Sequence, residues 1–177
     1  FHIYTRREPI GVAALIVPWN GPLVQAAWKV APALAAGCSC ILKPATETPL
    51  SSVRLGEILL EAGVPPGVFN LLLGGGSTVG QLLAEHPDVD KVSFTGSTAV
   101  GKQIIDAARG NLKKVSLELG GKSPVIVYAD ADIEASIAGI AQGIFSHAGQ
   151  VCVAGSRLYV EESIYEEVVE GVAKIAR

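Results

Sequence analysis

One cysteine, Cys152, stands in a sequence context that suits a nucleophile. It lies in the stretch Gly149–Arg157, which is predicted to form a loop before a strand and is rich in glycine and alanine. Small neighbours leave the sulfur accessible, and an accessible thiolate attacks electrophilic carbon. The alternative is a buried cysteine that acts as a small hydrophobic residue. This stretch alone leaves both interpretations open.

Composition excludes several classes of function. The net charge is −3 and the Lys and Arg residues are scattered, so no surface for nucleic acid or an anionic membrane is indicated. The apolar run Ala26–Leu42 is interrupted by Lys29 and Pro32, which argues against a membrane span. With 49% hydrophobic and 18% charged residues, the chain has enough apolar side chains for a sizeable core.

Cysteine and histidine usage indicates neither a disulfide framework nor a metal site. Three cysteines and three histidines are present, at spacings that fit no zinc site. Cys38 and Cys40 alternate along an apolar run and are predicted to be inert strand residues. We therefore expect a soluble protein of a reducing compartment, the cytoplasm. The chain contains no methionine, even at position 1, which favours a segment of a longer protein.

Apolar runs alternate with amphipathic segments along the whole chain. Near-continuously apolar strands that alternate with helices indicate an α/β fold with a parallel sheet covered by helices on both faces. The predicted strands are Gly11–Val17, Ser39–Leu42, Val68–Leu73, Lys91–Phe94, Lys114–Glu118, Pro124–Tyr128 and Arg157–Val160. The predicted helices run from Pro22 to Gly37, Ser51 to Gly63, Thr78 to Glu85, Gly101 to Arg109, Asp132 to Phe145 and Ser163 to Arg177.

Polar residues and glycines collect after the predicted strands. In parallel sheets, ligands bind at the carboxyl ends of the strands. The chain therefore predicts a binding site at one edge of the sheet. The residues and segments that follow strand ends are Asn20, Lys43, Gly74–Gly76, Gly96–Gly101 and Glu118.

The segment Gly96–Lys102 has three possible interpretations. It nearly matches the loop that binds nucleoside triphosphates, and Asp130 after a later strand imitates the second motif of such proteins. Gln103, however, stands where a hydroxyl is needed to hold Mg²⁺. The segment is otherwise a plain capped helix, or a helix N-terminus that binds a diphosphate without metal. The spacing in Gly74–Gly80 is wrong for the usual dinucleotide fingerprint.

With these pieces in order, the chain resembles the aldehyde dehydrogenase superfamily over nearly its whole length. The resemblance implies a Rossmann-like NAD(P)-binding domain over 1–118, followed over 119–177 by the start of a second α/β domain that carries the thiol. Any one of the motifs that carry the match is weak alone, but their order and separations are specific. These motifs are Val17-Pro18-Trp19-Asn20, Phe94-Thr95-Gly96-Ser97-Thr98, Leu117-Glu118-Leu119-Gly120-Gly121-Lys122 and Gly149-Gln150-Val151-Cys152.

The resemblance implies a catalytic role for four residues. Cys152 would attack the aldehyde, the Asn20 side-chain amide would stabilise the oxyanion, and Glu118 would activate water to hydrolyse the thioester. Because members that transfer the acyl group to coenzyme A lack this glutamate, Glu118 implies release of a free acid. Lys29 is similar to a family lysine near the cysteine and would favour its thiolate. The alternatives are a solvated strand end for Glu118, a helix N-cap for Asn20 and a snorkelling surface lysine for Lys29.

The resemblance also implies a set of residues that bind the dinucleotide. Lys43 would bind the adenine ribose, and Ser97 would bind the pyrophosphate together with adjacent N–H groups. Many NAD-preferring members carry a glutamate at the position of Thr46, and a neutral residue there makes NADP or dual use plausible. The other residues implied are Ile16, Pro18, Trp19, Gly76, Gly80, Thr95, Gly96, Val100, Leu119 and Gly120.

Further features of the family are expected outside this chain. They include the glutamate–phenylalanine motif that holds the nicotinamide ribose, most of the catalytic domain, and the final strand used for subunit pairing. Full members are typically homodimers or homotetramers that act on small aldehydes. A catalytically silent dinucleotide-binding module is therefore a further hypothesis, beside the triphosphatase.

Overall fold

A computed structural model describes all residues, Phe1–Arg177. The chain divides into two compact units, Phe1–Leu119 and Gly120–Arg177. The first unit contains a five-stranded parallel sheet of strand order β3-β2-β1-β4-β5. Its strands are β1 (Val12–Ile16), β2 (Ser39–Lys43), β3 (Phe69–Leu71), β4 (Lys91–Thr95) and β5 (Lys114–Glu118). The predicted α/β fold with a parallel sheet is confirmed.

Helices cover the two faces of this sheet. They are α1 (Pro22–Ala35), α2 (Leu50–Glu61), α3 (Gln81–Glu85) and α4 (Thr98–Ala108). Alternate residues along each strand point to opposite faces, so each strand contributes to two cores. Helices α1 and α2 pack over Leu15 and Leu42, while α3 and α4 pack over Ile16 and Phe94. Both Cys38 and Cys40 are buried, and burial raises the pKa of the Cys40 thiol to about 11.

The edge strand β5 differs from the fully apolar pattern. Val115 and Leu117 pack against the core under α3 and α4, whereas Lys114, Ser116 and Glu118 are exposed. This strand therefore has one covered and one open face, as period-two alternation dictates. The open face ends at Glu118.

The second unit pairs two parallel strands, β6 (Pro124–Val127) and β7 (Arg157–Val160). Two helices, α5 (Ile133–Phe145) and α6 (Tyr165–Ile175), pack on them. The buried centre of this core is Val127, Ile140 and Val168. Assignment of the two units to a cofactor domain and a catalytic domain stays a prediction.

Several element boundaries differ from the sequence prediction. Helix α4 begins at Thr98 rather than after Gly101, because the Ser97 hydroxyl accepts a hydrogen bond from the Val100 N–H and caps the helix there. Before α3, one turn of π-helix spans Gly76–Gly80. The final helix begins at Tyr165, after a short 3₁₀ turn, and the third strand has only three residues. No helix is long and apolar enough to cross a membrane.

Leu42, the residue before Lys43, provides a test of the core assignment. Leu42 is 0% exposed, so Leu42→Ala leaves a cavity and should lower the free energy of unfolding by about 2–5 kcal/mol. The matched control, Leu60→Ala, changes a leucine of α2 that is 56% exposed, and a surface change of this kind costs about 0.5 kcal/mol or less. Chemical unfolding measures the free energy of unfolding of both variants. Equal losses would contradict the core assignment.

Candidate active site

Four of the predicted site residues are the last residues of their strands. Ile16, Lys43, Thr95 and Glu118 end β1, β2, β4 and β5, respectively. In the register, Ile16 pairs with Lys43 and with Phe94, and Thr95 pairs with Glu118. The sheet therefore brings these residues to one carboxyl edge. Strand β1 lies between β2 and β4, so this edge includes the point where the strand order reverses, which is the usual ligand site in such sheets.

Lys43 is buried, and its ammonium group is held at this edge. It is 3% exposed, and its Nζ donates a hydrogen bond to the Pro44 carbonyl at 2.8 Å. Burial lowers the pKa of Lys43, and the nearby charge of Glu47 raises it. Since an ammonium has three N–H donors, two remain for the oxygens of a ligand.

The π-helical turn after β3 lies beside Lys43. Gly80 is buried, and an ideal Cβ on it would come within 3.7 Å of the Lys43 Cδ. A Cβ on Gly76 would meet nothing within 4 Å, so the space above this glycine is open. The Thr46 hydroxyl donates to the Gly74 carbonyl at 3.5 Å. A ligand can therefore approach the backbone of the turn closely near the Lys43 ammonium.

The N-terminus of α4 follows β4 at the same edge. Ser97 is the N-cap, and Val100 in the first turn is 39% exposed. A side chain on Gly96 would force the buried Phe94 ring to move, because an ideal Cβ there would overlap this ring. The free N–H groups of a first helical turn attract anions, so the capped-helix and diphosphate interpretations of this segment are compatible.

The triphosphate interpretation does not fit this geometry. Gly101 lies inside α4 and is buried, and Lys102 is an exposed residue of the same helix. A triphosphate loop instead wraps its backbone around phosphates before the helix starts. No group of three or more His, Cys, Asp or Glu side chains is arranged to hold a metal ion.

Lys29 is a buried residue rather than a snorkelling surface lysine. It is 8% exposed, and its Nζ donates to the Ser93 hydroxyl at 2.8 Å. The pKa of Lys29 is lowered to about 8. Burial is the largest cause and lowers the pKa, the charge of Glu118 raises it, and the charge of Lys91 lowers it. The electrostatic partners of this lysine in the first unit are therefore Glu118 and Lys91.

The segment Val17–Gly21 joins β1 to α1 and carries three predicted site residues. Trp19 is 43% exposed, and Pro18 and Asn20 are half-buried. The N-cap of α1 is Gly21, with no side-chain hydrogen bond to the helix, and Pro22 occupies the first turn. Asn20 therefore precedes the N-cap position of this helix.

The segment after β5 contains Leu119 and Gly120. Leu119 packs against α4, since an ideal Cβ on Gly101 would lie 2.7 Å from its Cδ2. Gly120 begins the second unit, and a Cβ on it would meet nothing within 4 Å. Glu118 itself is exposed, and its backbone carbonyl accepts a hydrogen bond from the Gly96 N–H at 3.0 Å.

Cys152 lies in the second unit as a free, half-buried thiol. It follows α5 in an irregular segment and precedes β7. The next residues turn sharply, with the Ala154 N–H donating to the Val151 carbonyl at 3.0 Å. The sulfur is therefore neither packed into the core around Val168 nor part of a regular strand.

Sequence reasoning missed a polar row on one face of β4. Lys91, Ser93 and Thr95 alternate with Val92 and Phe94, so they share one side of the sheet. Lys91 donates to the Ser116 hydroxyl at 2.7 Å, and Thr95 donates to the Gln25 side chain at 3.4 Å. Period-two alternation within β4 was the available signal. Within this row, the Ser93 hydroxyl accepts a hydrogen bond from the Lys29 ammonium, and the charge of Lys91 repels it.

The lowered pKa of Lys29 predicts a pH dependence of stability. The pKa of Lys29 in the folded protein is about 8, below the ordinary value of 10.5. Between these two pH values the unfolded chain therefore binds one more proton than the folded protein. Because of this difference, Lys29 makes the free energy of unfolding rise with pH in this window. We expect the stability of Lys29→Met relative to wild type to fall across that window. Unfolding measured from pH 7 to 11 tests this. The control is Lys174→Met at an exposed lysine, and the same trend for both variants would contradict the prediction.

Comparisons with known proteins add independent evidence. The family model described as the aldehyde dehydrogenase family matches residues 1–177. The mouse protein named aldehyde dehydrogenase, cytosolic 1, is 57% identical over 94% of this chain and 33% of its own length. The phenylacetaldehyde dehydrogenase of Pseudomonas fluorescens is 57% identical over 97% of this chain and 34% of its own length.

Solved structures agree with this match. The NAD-dependent aldehyde dehydrogenase of Sinorhizobium meliloti has a TM-score of 0.94 and 48% identity, covering 96% of this chain and 34% of that chain. Betaine aldehyde dehydrogenase of Staphylococcus aureus, in complex with NAD+, has a TM-score of 0.92 and 48% identity, covering 95% and 33%. The chain thus spans about a third of the length of these relatives, and it belongs to the aldehyde dehydrogenase family.

Proposed function

We propose that this chain supports the NAD(P)+-dependent oxidation of an aldehyde to a carboxylic acid. The observation that carries the proposal is the exposed carboxylate of Glu118 at the sheet edge that also holds Lys43 and Thr95, in a member of this family. The proposed nucleophile, Cys152, is a free and half-buried thiol in the second unit. The experiments below use the protein at its full natural length.

In the proposed first step, the Cys152 thiolate forms a bond to the aldehyde carbon, and the carbonyl electron pair moves to its oxygen. The Asn20 side-chain amide and the Cys152 backbone N–H would donate hydrogen bonds to this oxyanion. One donor of this kind contributes about 10²–10³-fold in rate. Support for Asn20 comes from its place in the segment that follows the carboxyl end of β1.

The residues at the carboxyl edge fit a dinucleotide. Lys43 has N–H donors available for ribose hydroxyls, and the backbone at Gly76 is open to close approach while the buried Gly80 packs beside Lys43. Ser97 caps a helix whose N-terminus attracts phosphate. When bound, NAD(P)+ supplies the hydride acceptor for the carbon attached to sulfur. The protein's own task is to hold the carbon and the oxyanion in place while the thioester forms on Cys152.

Glu118 is the proposed base for hydrolysis. Its carboxylate would accept a proton from water as the oxygen attacks the thioester carbon, and the Cys152 sulfur would leave as thiolate. The charge of Glu118 also acts on a buried neighbour, since it raises the pKa of Lys29. Exposure of Glu118 at the end of β5 supports access to water.

Two variants separate acylation from hydrolysis. Cys152→Ser should abolish both the rapid first turnover of NAD(P)H and the steady-state rate, because the thiolate is lost. Glu118→Gln should keep the rapid first turnover but lower the steady-state rate by about 10²–10⁴-fold, since the base serves hydrolysis. Stopped-flow fluorescence of NAD(P)H measures both phases. A Cys152→Ser protein with the wild-type rate would contradict the proposed nucleophile.

Cofactor preference depends on Thr46 in this proposal. Thr46 is neutral and exposed near Gly74, whereas a carboxylate there would repel the 2′-phosphate of NADP+. We therefore expect at most a modest NAD+ preference, and Thr46→Glu should raise the ratio of kcat/KM for NAD+ over NADP+ by about tenfold or more. A wild-type ratio above about a thousandfold would contradict this prediction. Thr46→Gln, which has the same length and shape as glutamate but no charge, is the matched control.

The second candidate is a dinucleotide-binding module without catalysis. The observation that favours it is that the chain spans about a third of the length of the relatives it matches. Labelling with an aldehyde-like electrophile, read by peptide mass spectrometry, separates the two. An active thiol makes Cys152 react faster than the buried Cys38, while equal rates favour the silent module.

We also propose that the protein at its full natural length forms a homodimer or homotetramer in the cytoplasm. Light scattering would measure the mass of this assembly in solution.

A further inference from the structure

The backbone of Gly121 lies directly against the backbone of Cys152. An ideal Cβ on Gly121 would stand 2.8 Å from the Cys152 carbonyl oxygen, closer than real Cβ atoms come to other heavy atoms. This oxygen belongs to the main chain, so it cannot rotate away as the end of a flexible side chain would. Any residue other than glycine at position 121 therefore forces one of the two segments to move.

Arg157 holds the segment that follows Gly121. Its Nε donates to the Lys122 carbonyl at 2.7 Å, and its backbone N–H donates to the Ser123 carbonyl at 3.3 Å. The pairing of β6 with β7 starts immediately afterwards, with Pro124 opposite Arg157. Gly121 is thus attached, through the next two residues, to the first residue of β7.

The chain on the other side of Cys152 is also constrained. His147 and Ala148 have φ values of 54° and 55°, and Gly149 follows at 73°. Left-handed backbone is unfavourable for a non-glycine residue, so such a turn persists only where its surroundings hold it. The Gly155 N–H donates to the Gly143 carbonyl at 3.3 Å and fixes the far end of the segment to α5.

We infer that Gly121 and Arg157 are positioning residues that set the direction in which Cys152 presents its thiol. The Cys152 Cα is bonded both to the Cβ that carries the sulfur and to the carbonyl group that Gly121 contacts. A displaced carbonyl group therefore rotates the bonds around this Cα and moves the sulfur. The inference rests on the proposed function, in which this sulfur is the nucleophile. Neither residue would touch the aldehyde.

Gly121→Ala in the protein at its full natural length is the direct test. The amplitude of the first turnover counts functional sites, and its rate constant reports acyl formation at each site. We expect this rate constant to fall by about tenfold or more, because displacements well under 1 Å already disturb a reacting geometry, while the KM for the dinucleotide stays unchanged. The matched control is Gly139→Ala in α5, where a Cβ meets nothing within 4 Å and wild-type kinetics are expected.

A merely structural role predicts a different result. It would lower the amplitude and leave the rate constant per site unchanged, and that outcome would overturn the inference. Arg157→Ala provides a second variant that adds no atom beside Cys152. It removes the side-chain bond to the Lys122 carbonyl, together with the contacts of the guanidinium with Tyr159. We expect a smaller fall in the same rate constant, and a rate constant equal to wild type in both variants would again overturn the inference.

Alkylation by iodoacetamide separates failure of this inference from failure of the proposed function. It reads the presentation of the Cys152 thiol without turnover, and the buried Cys38 and Cys40 report unfolding in the same sample. We expect Gly121→Ala to change the alkylation rate of Cys152 alone. An unchanged rate overturns the inference even in an active enzyme. A wild-type protein without a rapid first turnover overturns the proposed function, while the alkylation rates still decide the role of Gly121.

Discussion

The parallel register of five strands is the constraint on which the rest of the first unit depends. Hydrogen bonding between β1 and β2 and between β4 and β5 pairs the final residues of these strands, so their side chains share one edge. Because side chains alternate between the two faces, neighbouring residues in a strand serve different needs. Leu42 fills a core while Lys43 is held at the edge, and Phe94 fills a core while Thr95 ends its strand.

Burial of charge is the main cost of this arrangement. Lys29 and Lys43 are both buried, and burial lowers the pKa of each. Their hydrogen-bond partners, a serine hydroxyl and a backbone carbonyl, are neutral. A buried cation with neutral partners is expensive, and proteins retain such groups chiefly where they act on a ligand or another charge. Lys43 thus lies at the edge that the strand ends define, whereas Lys29 contacts Ser93 in the middle of β4.

Much of this fold was predictable because its signals are local. Apolar runs of strand length, glycines after helices and proline at the start of α1 gave the order of elements, and the strand ends gave the edge. The start of α4 was missed, since glycines suggested a loop while the Ser97 hydroxyl in fact caps the helix at Thr98. A capping hydrogen bond depends on the local backbone conformation, which glycine spacing does not reveal.

The site was less predictable wherever it depends on long-range packing. Lys29 donates a hydrogen bond to Ser93, which lies 64 residues further along the chain. The sequence around Lys29 was equally compatible with a position on the surface. The sequence assigns Gly121 to a motif but gives it no role of its own, because its contact with the Cys152 carbonyl joins segments far apart in the chain. Exposure of Glu118 followed from alternation in β5 and was within reach of sequence reasoning.

The central claim is that the acyl group is carried on Cys152 and released by Glu118. Mass spectrometry of the Glu118→Gln protein, at its full natural length and quenched during reaction with an aldehyde and NAD(P)+, tests it most directly. The account predicts a mass increase equal to the acyl group, located on the peptide that contains Cys152. An oxidising enzyme that carries the acyl group on another residue, or on none, would contradict it.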